Sequence, residues 1–172
     1  MADGGVLEVT DCSSDGDRVG CAATEGAMLV GDNVHVWRSA KDGFCVSHGG
    51  QALLTECASS GCVANGMHAG CHGSQLTAEG CVARDCRGRG FMVKVEAVAS
   101  LSGCSSSGNA GAGYFAATDG TMIVSCSSSD GDGVAERGVG DSTQRGAVAV
   151  QGGVLHMEGL TVDGSYKCYE LP

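Results

Sequence analysis

Apolar and polar residues alternate along most of this chain in runs of four or five positions. The two consecutive stretches GFCVSHG and GQALLTEC, between residues 43 and 57, each place apolar side chains at every second position. An alternation of period two predicts β-strands with one buried face. Glycine, serine and aspartate separate the runs, as in DGD at 15–17 and SSSGNAG at 105–111, and they predict tight corners. The pattern therefore indicates an all-β chain of many short strands.

The runs recur every 22 to 24 residues, and two columns define the repeat. The first, called here the reference column, is mostly cysteine: Cys12, Val34, Cys57, Cys81, Cys104 and Cys126. The second is a glycine followed by an apolar residue: Gly20, Gly43, Gly66, Gly90, Gly113 and Gly146. A repeat of this length, with about three strands and no helical segment, predicts a parallel β-helix. Each strand then pairs with its counterpart one repeat, or rung, away, at a spacing of about 4.8 Å.

These columns predict one domain over residues 1–172, wound into six to seven rungs of 22–24 residues. A polar loop insertion is expected around 134–145, because the glycine column skips there, and a short C-terminal tail at 165–172. If Cys126 belongs to the reference column, the alternation of period two places the side chain of Met122 on the outer, solvent-facing side of its strand. The first rung starts almost at Met1, and an uncovered rung is a sheet edge that invites pairing. Three alternatives stay open: end-to-end self-association, continuation of the chain in a longer protein, or coverage by the tail SYKCYELP.

The repeat is clearest in GFCVSHGGQALLTEC (43–57) and GYFAATDGTMIVSC (113–126). This pattern resembles the right-handed parallel β-helix repeats of pectate-lyase-like proteins. It is most similar to the repeats shared by carbohydrate-binding or sugar-hydrolysing proteins and by the β-helix domains of some F-box proteins. The resemblance covers about residues 5 to 165 and implies a right-handed, single-stranded solenoid. In the enzymes it implies catalysis or calcium binding by outward carboxylates on neighbouring rungs, and here no two neighbouring outward positions are acidic.

The composition limits which residues can fill the core and which classes of partner can be expected. Three Phe, three Tyr and one Trp against 30 Gly mean that small residues and cysteines must fill the core. A formal charge of −10 repels phosphate backbones and anionic membranes, so neither nucleic acid nor a membrane is a predicted partner. The N-terminus MADGGVLEV lacks the features of a signal peptide, and no stretch approaches the roughly 18 apolar residues of a membrane span. A cytoplasmic location is the default expectation.

The 11 cysteines predict neither a metal site nor a redox motif. Cys57 and Cys81 should stack on one another in successive rungs, as should Cys62 and Cys86, so four sulfurs would not converge on zinc. Free, buried thiols that pack as small apolar residues are expected. Under oxidising conditions, a disulfide between Cys62 and Cys86 in neighbouring rungs is a possible alternative to the free thiols. No cofactor is predicted.

An outward column of mostly apolar residues is the main candidate for binding. It comprises Cys45, His68, Met92, Phe115 and Val148. Contiguous exposed apolar surface typically marks a partner site. Two alternatives stay open: the inward and outward positions slip by one residue here, or the insertion folds over the column. Trp37, the sole Trp, is a second candidate, because it lies at a corner where it can stack on a sugar or a partner or pack on a neighbouring turn.

A corner column of His72, Glu96 and Asp119 is the only candidate for catalysis, and a weak one. Histidine beside carboxylates can serve as an acid–base pair or a metal site, whereas charged residues at a corner are also typical of a solvated turn. The sequence therefore favours a non-catalytic binding or scaffold module that engages a protein partner or a polysaccharide. The alternative is a carbohydrate-active enzyme, a lyase or glycoside hydrolase, with its site on corner residues.

Overall fold

A computed structural model describes residues 4–130, 146–159 and 161–163 of the chain. These ranges contain 20 β-strands and no helix. The described ranges consequently hold no helix long and apolar enough to cross a membrane. The predicted insertion at 134–145 and the tail at 165–172 lie outside the described residues.

The strands form three parallel sheets, A, B and C. Sheet A has seven strands: β1 Val6–Thr10, β4 Met28–Asp32, β7 Gln51–Thr55, β10 Gln75–Glu79, β13 Val98–Ser102, β16 Thr121–Ser125 and β19 Val154–Glu158. Sheet B has seven: β2 Ser13–Asp15, β5 His35–Trp37, β8 Ala58–Ser60, β11 Val82–Arg84, β14 Ser105–Ser107, β17 Ser128–Asp130 and β20 Thr161–Asp163. Sheet C has six: β3 Cys21–Thr24, β6 Phe44–Ser47, β9 Met67–Gly70, β12 Phe91–Lys94, β15 Tyr114–Ala117 and β18 Ala147–Val150.

Each rung contributes one strand to each sheet, except that the last described strands, β19 and β20, belong to sheets A and B. Each strand pairs with its counterpart one rung away. Leu76 of β10, for example, aligns with Ala52 of β7 on one side and with Ala99 of β13 on the other. The predicted all-β parallel solenoid is confirmed, with seven, seven and six strands in the three sheets.

The core is a continuous stack of mostly small side chains inside the three sheets. It is filled largely by Ala, Val, Leu and Cys, as the composition predicts. The larger rings are stacked as well, since Phe91 and Tyr114 lie nearly parallel with centroids 5.2 Å apart. At the first rung the inward-facing Leu7 of β1 is 49 % exposed. End-to-end association of the solenoid remains a prediction.

The reference column holds Cys57, Cys81 and Cys104 as buried, free thiols, as expected. Cys62 and Cys86 are also buried and free. Hydrogen bonding with Cys104 and Cys57, reinforced by burial, raises the pKa of the Cys81 thiol, because a thiolate there would lie between two other sulfurs.

The prediction that Cys126 belongs to the reference column is wrong. Cys126 is exposed and has a left-handed backbone with φ of 47°, whereas Ser127 is buried and its Oγ accepts a hydrogen bond from the backbone N–H of Cys104. The sixth rung is therefore shifted by one residue from the sequence alignment. Consistent with this shift, Ile123 faces outward in β16 and Met122, predicted to face outward, is buried.

Corners between sheets use residues in the left-handed region. After sheet C the chain turns through two consecutive such residues, and glycine takes the second place in Glu25-Gly26 and His48-Gly49. The equivalent pair Val95 and Glu96 has φ values of 55° and 56° and contains no glycine. A left-handed conformation costs an ordinary residue about 1–2 kcal/mol, and a β-branched side chain is the least suited to it.

We therefore expect Val95→Asn to raise the free energy of unfolding by about 1 kcal/mol, since asparagine tolerates the left-handed region. Equilibrium urea denaturation measures the change. The matched control is Val98→Asn, on an exposed position of strand β13, where asparagine is disfavoured and stability should fall slightly. A loss of stability in both variants would contradict the role assigned to the backbone of Val95.

Candidate binding site

Trp37 lies at the end of strand β5, on the outer face of sheet B. The parallel register places it between Asp15 of β2 and Ser60 of β8. The next residue, Arg38, takes a left-handed conformation with φ of 53°, so the chain turns immediately after the indole. Trp37 is 39 % exposed, which leaves part of the ring open to solvent.

The side chain of Arg38 extends to the preceding rung and forms a bidentate ion pair with Asp15. Its Nε donates to Asp15 Oδ1 at 2.8 Å, and its Nη2 contacts Asp15 Oδ2. The hydrogen bonds from Arg38 hold the pKa of the Asp15 carboxyl below its usual value. A carboxylate and a guanidinium that are paired with each other therefore flank the exposed indole.

An open groove of about 330 Å³ runs beside this pair. Its lining residues are Asp15, Trp37, Arg38, Ser60 and Gly61. The ring of His35 stacks on that of Trp37, with centroids 5.8 Å apart and an angle of 28° between the planes, and so supports the indole from its own strand. The groove combines one aromatic surface with hydroxyl, carboxylate and guanidinium groups.

The predicted outward column exists, but its apolar members are not exposed as expected. Sheet C aligns Cys45, His68, Met92, Phe115 and Val148 in successive strands. Met92 and Phe115 are each only 9 % exposed and Val148 3 %, because they pack with Ala112 and Ala117 in a second apolar cluster. The guanidinium of Arg89 also lies 3.8 Å from the centroid of the Phe115 ring. The binding role of this column remains a prediction.

The polar end of the same column is partly buried and hydrogen-bonded. His68 Nδ1 lies 3.2 Å from Asp42 Oδ2, and their side chains are 13 % and 14 % exposed. Burial opposes ionisation of Asp42, but hydrogen bonding and charge from His68, together with hydrogen bonds from Asn65, outweigh it and lower the pKa of Asp42. Asp42 was absent from the residues singled out in the sequence.

The corner column has the geometry of a solvated turn. His72 Nε2 lies 3.5 Å from Glu96 Oε2, so two of the three predicted residues do meet. Their side chains are 84 % and 60 % exposed, however, and water at such a surface screens the interaction between them. Asp119 follows Glu96 in the next rung, because Lys94 aligns with Ala117.

Comparison with known proteins agrees with this architecture. Residues 3–168 match a family model described as a right handed beta helix region. The chain belongs to the right-handed β-helix family. No curated protein and no solved structure matches this β-helix significantly. Family membership therefore establishes the fold and the handedness, and function has to be argued from the residues of the β-helix itself.

The sequence singled out Trp37 as a candidate, but not the groups that lie around it in the structure. Asp15 and Ser60 lie 22 and 23 residues from Trp37, which are whole repeats. The period alone was thus a usable signal that these side chains share an outward column of the β-helix. That Arg38 folds back onto Asp15 depends on its left-handed backbone, for which the sequence carries no clear sign because Arg seldom adopts it.

Proposed function

We propose that this β-helix is a non-catalytic binding module that takes a neutral glycan in the groove beside Trp37. The observation that carries the proposal is the half-open indole of Trp37 held between Asp15 and Ser60, with Arg38 turned back across the groove. Binding pockets for small molecules combine an apolar or aromatic surface with a few fixed polar groups. A sugar ring has a matching apolar C–H face and a rim of hydroxyl groups.

Charge favours a neutral sugar over an acidic one. The chain carries a formal net charge of −10, which repels uronic acids and sulfated chains. The one guanidinium lining the groove is already paired with Asp15. Sugar hydroxyls can still donate to the Asp15 carboxylate and accept from the remaining N–H groups of Arg38, because a guanidinium has five donors.

The pKa of the groove carboxyl argues for binding and against hydrolysis. A glycoside hydrolase needs a carboxylic acid whose raised pKa keeps the proton available for the leaving group. The pKa of Asp15 is lowered by Arg38, so Asp15 stays ionised and can only accept hydrogen bonds. The His72–Glu96 corner is largely open to solvent, so it lacks the apolar surroundings in which a glycoside hydrolase holds its acid.

The sole tryptophan makes the test direct, because intrinsic tryptophan fluorescence reports on Trp37 alone. We expect neutral oligosaccharides from a panel of plant, fungal and bacterial polysaccharides to change the emission of the wild-type chain. In calorimetric titrations with the oligosaccharide found, Trp37→Ala should weaken binding by roughly 30-fold or more, since a tryptophan at the centre of an interface contributes about 2 kcal/mol or more.

Ile123→Ala is the matched control, because Ile123 is similarly exposed but lies outward on sheet A. It should bind as the wild type does. Equal weakening in Trp37→Ala and Ile123→Ala, or binding of acidic chains alone, would contradict the proposal. Release of new reducing ends from the bound sugar, lost in Glu96→Gln, would favour the enzymatic alternative.

A further inference from the structure

Three side chains of different chemistry converge at the polar end of the outward column on sheet C. Cys45 of β6 and His68 of β9 are direct partners in the parallel register, and both project from the outer face. Asp42 lies in the corner that leads into β6. One ligand atom from each residue, the carboxylate oxygen, the thiol sulfur and an imidazole nitrogen, lies within 4.8 Å of the other two.

A supporting residue fixes the carboxylate of this cluster. Asn65 donates to Asp42 Oδ1 from its backbone N–H at 2.9 Å and from its side-chain Nδ2 at 2.8 Å. The Oδ1 of Asn65 in turn accepts a hydrogen bond from the backbone N–H of Arg89 at 3.1 Å. Asp42 Oδ2 is thereby aimed at His68. Outer groups that orient the ligands in this way are a regular feature of metal sites in proteins.

The imidazole of His68 has a nitrogen with no hydrogen-bond partner among the residues that the structure describes. Its Nε2 is buried and makes no hydrogen bond in the structure. Burying an unpaired polar atom is unfavourable, so such an atom calls for an explanation. Gly70, two residues along β9, provides the room for this ring, because a Cβ at position 70 would lie 2.8 Å from Nε2.

We propose that Asp42, Cys45 and His68 form a binding site for a divalent transition metal, with Zn²⁺ as the ion that suits them best. Thiolate, imidazole and carboxylate are the three side-chain ligands of zinc in proteins. Calcium and magnesium favour oxygen ligands throughout and do not fit this mixed set. Three protein ligands leave the fourth tetrahedral position to water. The site is separate from the Trp37 groove, and neither proposal depends on the other.

A Cys–His–Asp catalytic triad fits these residues less well than a metal site does. Burial, followed by the charges of Asp42 and Cys71, raises the pKa of the Cys45 thiol to about 11, although Lys94 and Lys41 act in the opposite direction. A nucleophilic cysteine needs a lowered pKa, because the thiolate is the reactive form. A metal ion instead displaces the thiol proton as it binds, so a high pKa weakens its affinity but does not prevent binding.

Cobalt(II) titration of the reduced 172-residue chain tests the site, because a cobalt–thiolate bond gives a charge-transfer absorption band in the near ultraviolet. We expect one equivalent of Co²⁺ to produce that band and one equivalent of Zn²⁺ to abolish it. Cys45→Ser should remove the band. Asn65→Ala, which frees the Asp42 carboxylate, should weaken Zn²⁺ binding by about 10–100-fold in competition with a chromophoric chelator.

Cys21→Ser is the matched control, since Cys21 is also partly buried and its thiol pKa is likewise raised to about 11. This variant should bind cobalt as the wild type does. An unchanged cobalt band in Cys45→Ser, or no stoichiometric binding of either ion by the wild type, would overturn the proposal. Circular dichroism confirms folding of each variant. If Cys45→Ser does not fold, Asp42→Asn, which preserves the side-chain shape, replaces it in the titration and should bind both ions more weakly than the wild type does.

Discussion

Replacing Tyr114 with alanine is expected to lower the free energy of unfolding by about 3–5 kcal/mol, the range for removing a large aromatic side chain from a core. Tyr114 is fully buried, and its ring stacks on that of Phe91 with centroids 5.2 Å apart. Its hydroxyl lies 2.9 Å from the carbonyl oxygens of both Cys104 and Ser128. The side chain thus ties sheet C to sheet B across the interior of the solenoid.

Equilibrium urea denaturation followed by circular dichroism measures this loss. Tyr114→Phe is the control, because it keeps the stacked ring and removes the hydroxyl alone. It should cost about 0.5–1.5 kcal/mol, since the carbonyl of Cys104 still accepts a bond from the backbone N–H of Ser128. If the alanine variant lost no more stability than the phenylalanine variant, the packing of the ring would not be what stabilises this rung.

Adding a methyl group at a position of the glycine column is the second substitution for which we expect a large loss of stability. We expect Gly66→Ala to cost at least about 1–3 kcal/mol, the range for overpacking a core. A Cβ at position 66 would lie 2.6 Å from the Cβ of Ala83, 2.7 Å from Ser59 Oγ and 2.8 Å from the carbonyl oxygen of Gly90. The last contact is with backbone of the next rung, which cannot move away without breaking the parallel register.

Gly26→Ala is the matched control for this prediction, measured by thermal and urea denaturation. Gly26 has φ of +76°, and a Cβ there would meet nothing within 4 Å. Its substitution should therefore cost only the conformational strain of about 1–2 kcal/mol, and Gly26→Asn less. If Gly66→Ala were as stable as the wild type, the contact between neighbouring rungs at this column would be looser than described.

The fold was predictable because its signal is repeated. Alternation within each rung assigns strands, and the recurrence of Cys57, Cys81 and Cys104 aligns one rung with the next. The alignment failed at Cys126, where cysteine and serine are adjacent and both are small enough for the buried place. Residue type cannot decide between two such neighbours, whereas the left-handed corner at Cys126 places Ser127 inside.

The candidate sites were predictable only in part, because corners do not follow the alternation. Period two correctly put His68 and Phe115 on the outer face, but it carries no information on what packs over that face. Asp42 and His68 are 26 residues apart, so their contact crosses a corner and matches no multiple of the repeat. Contacts of this kind depend on the path of the chain between strands, which residue spacing alone leaves open.

Because each described strand pairs with its counterpart in the neighbouring rung, the chain can gain or lose a whole rung and keep the strand register. Excising residues 74–96 would join Gly73 to Ala97, and Ala97 occupies the place of Ser74, because Gln75 aligns with Val98. Removal of a single residue within a strand would instead turn its buried side chains outward. Gene duplications and deletions of whole repeats are therefore the changes in length that the β-helix can tolerate.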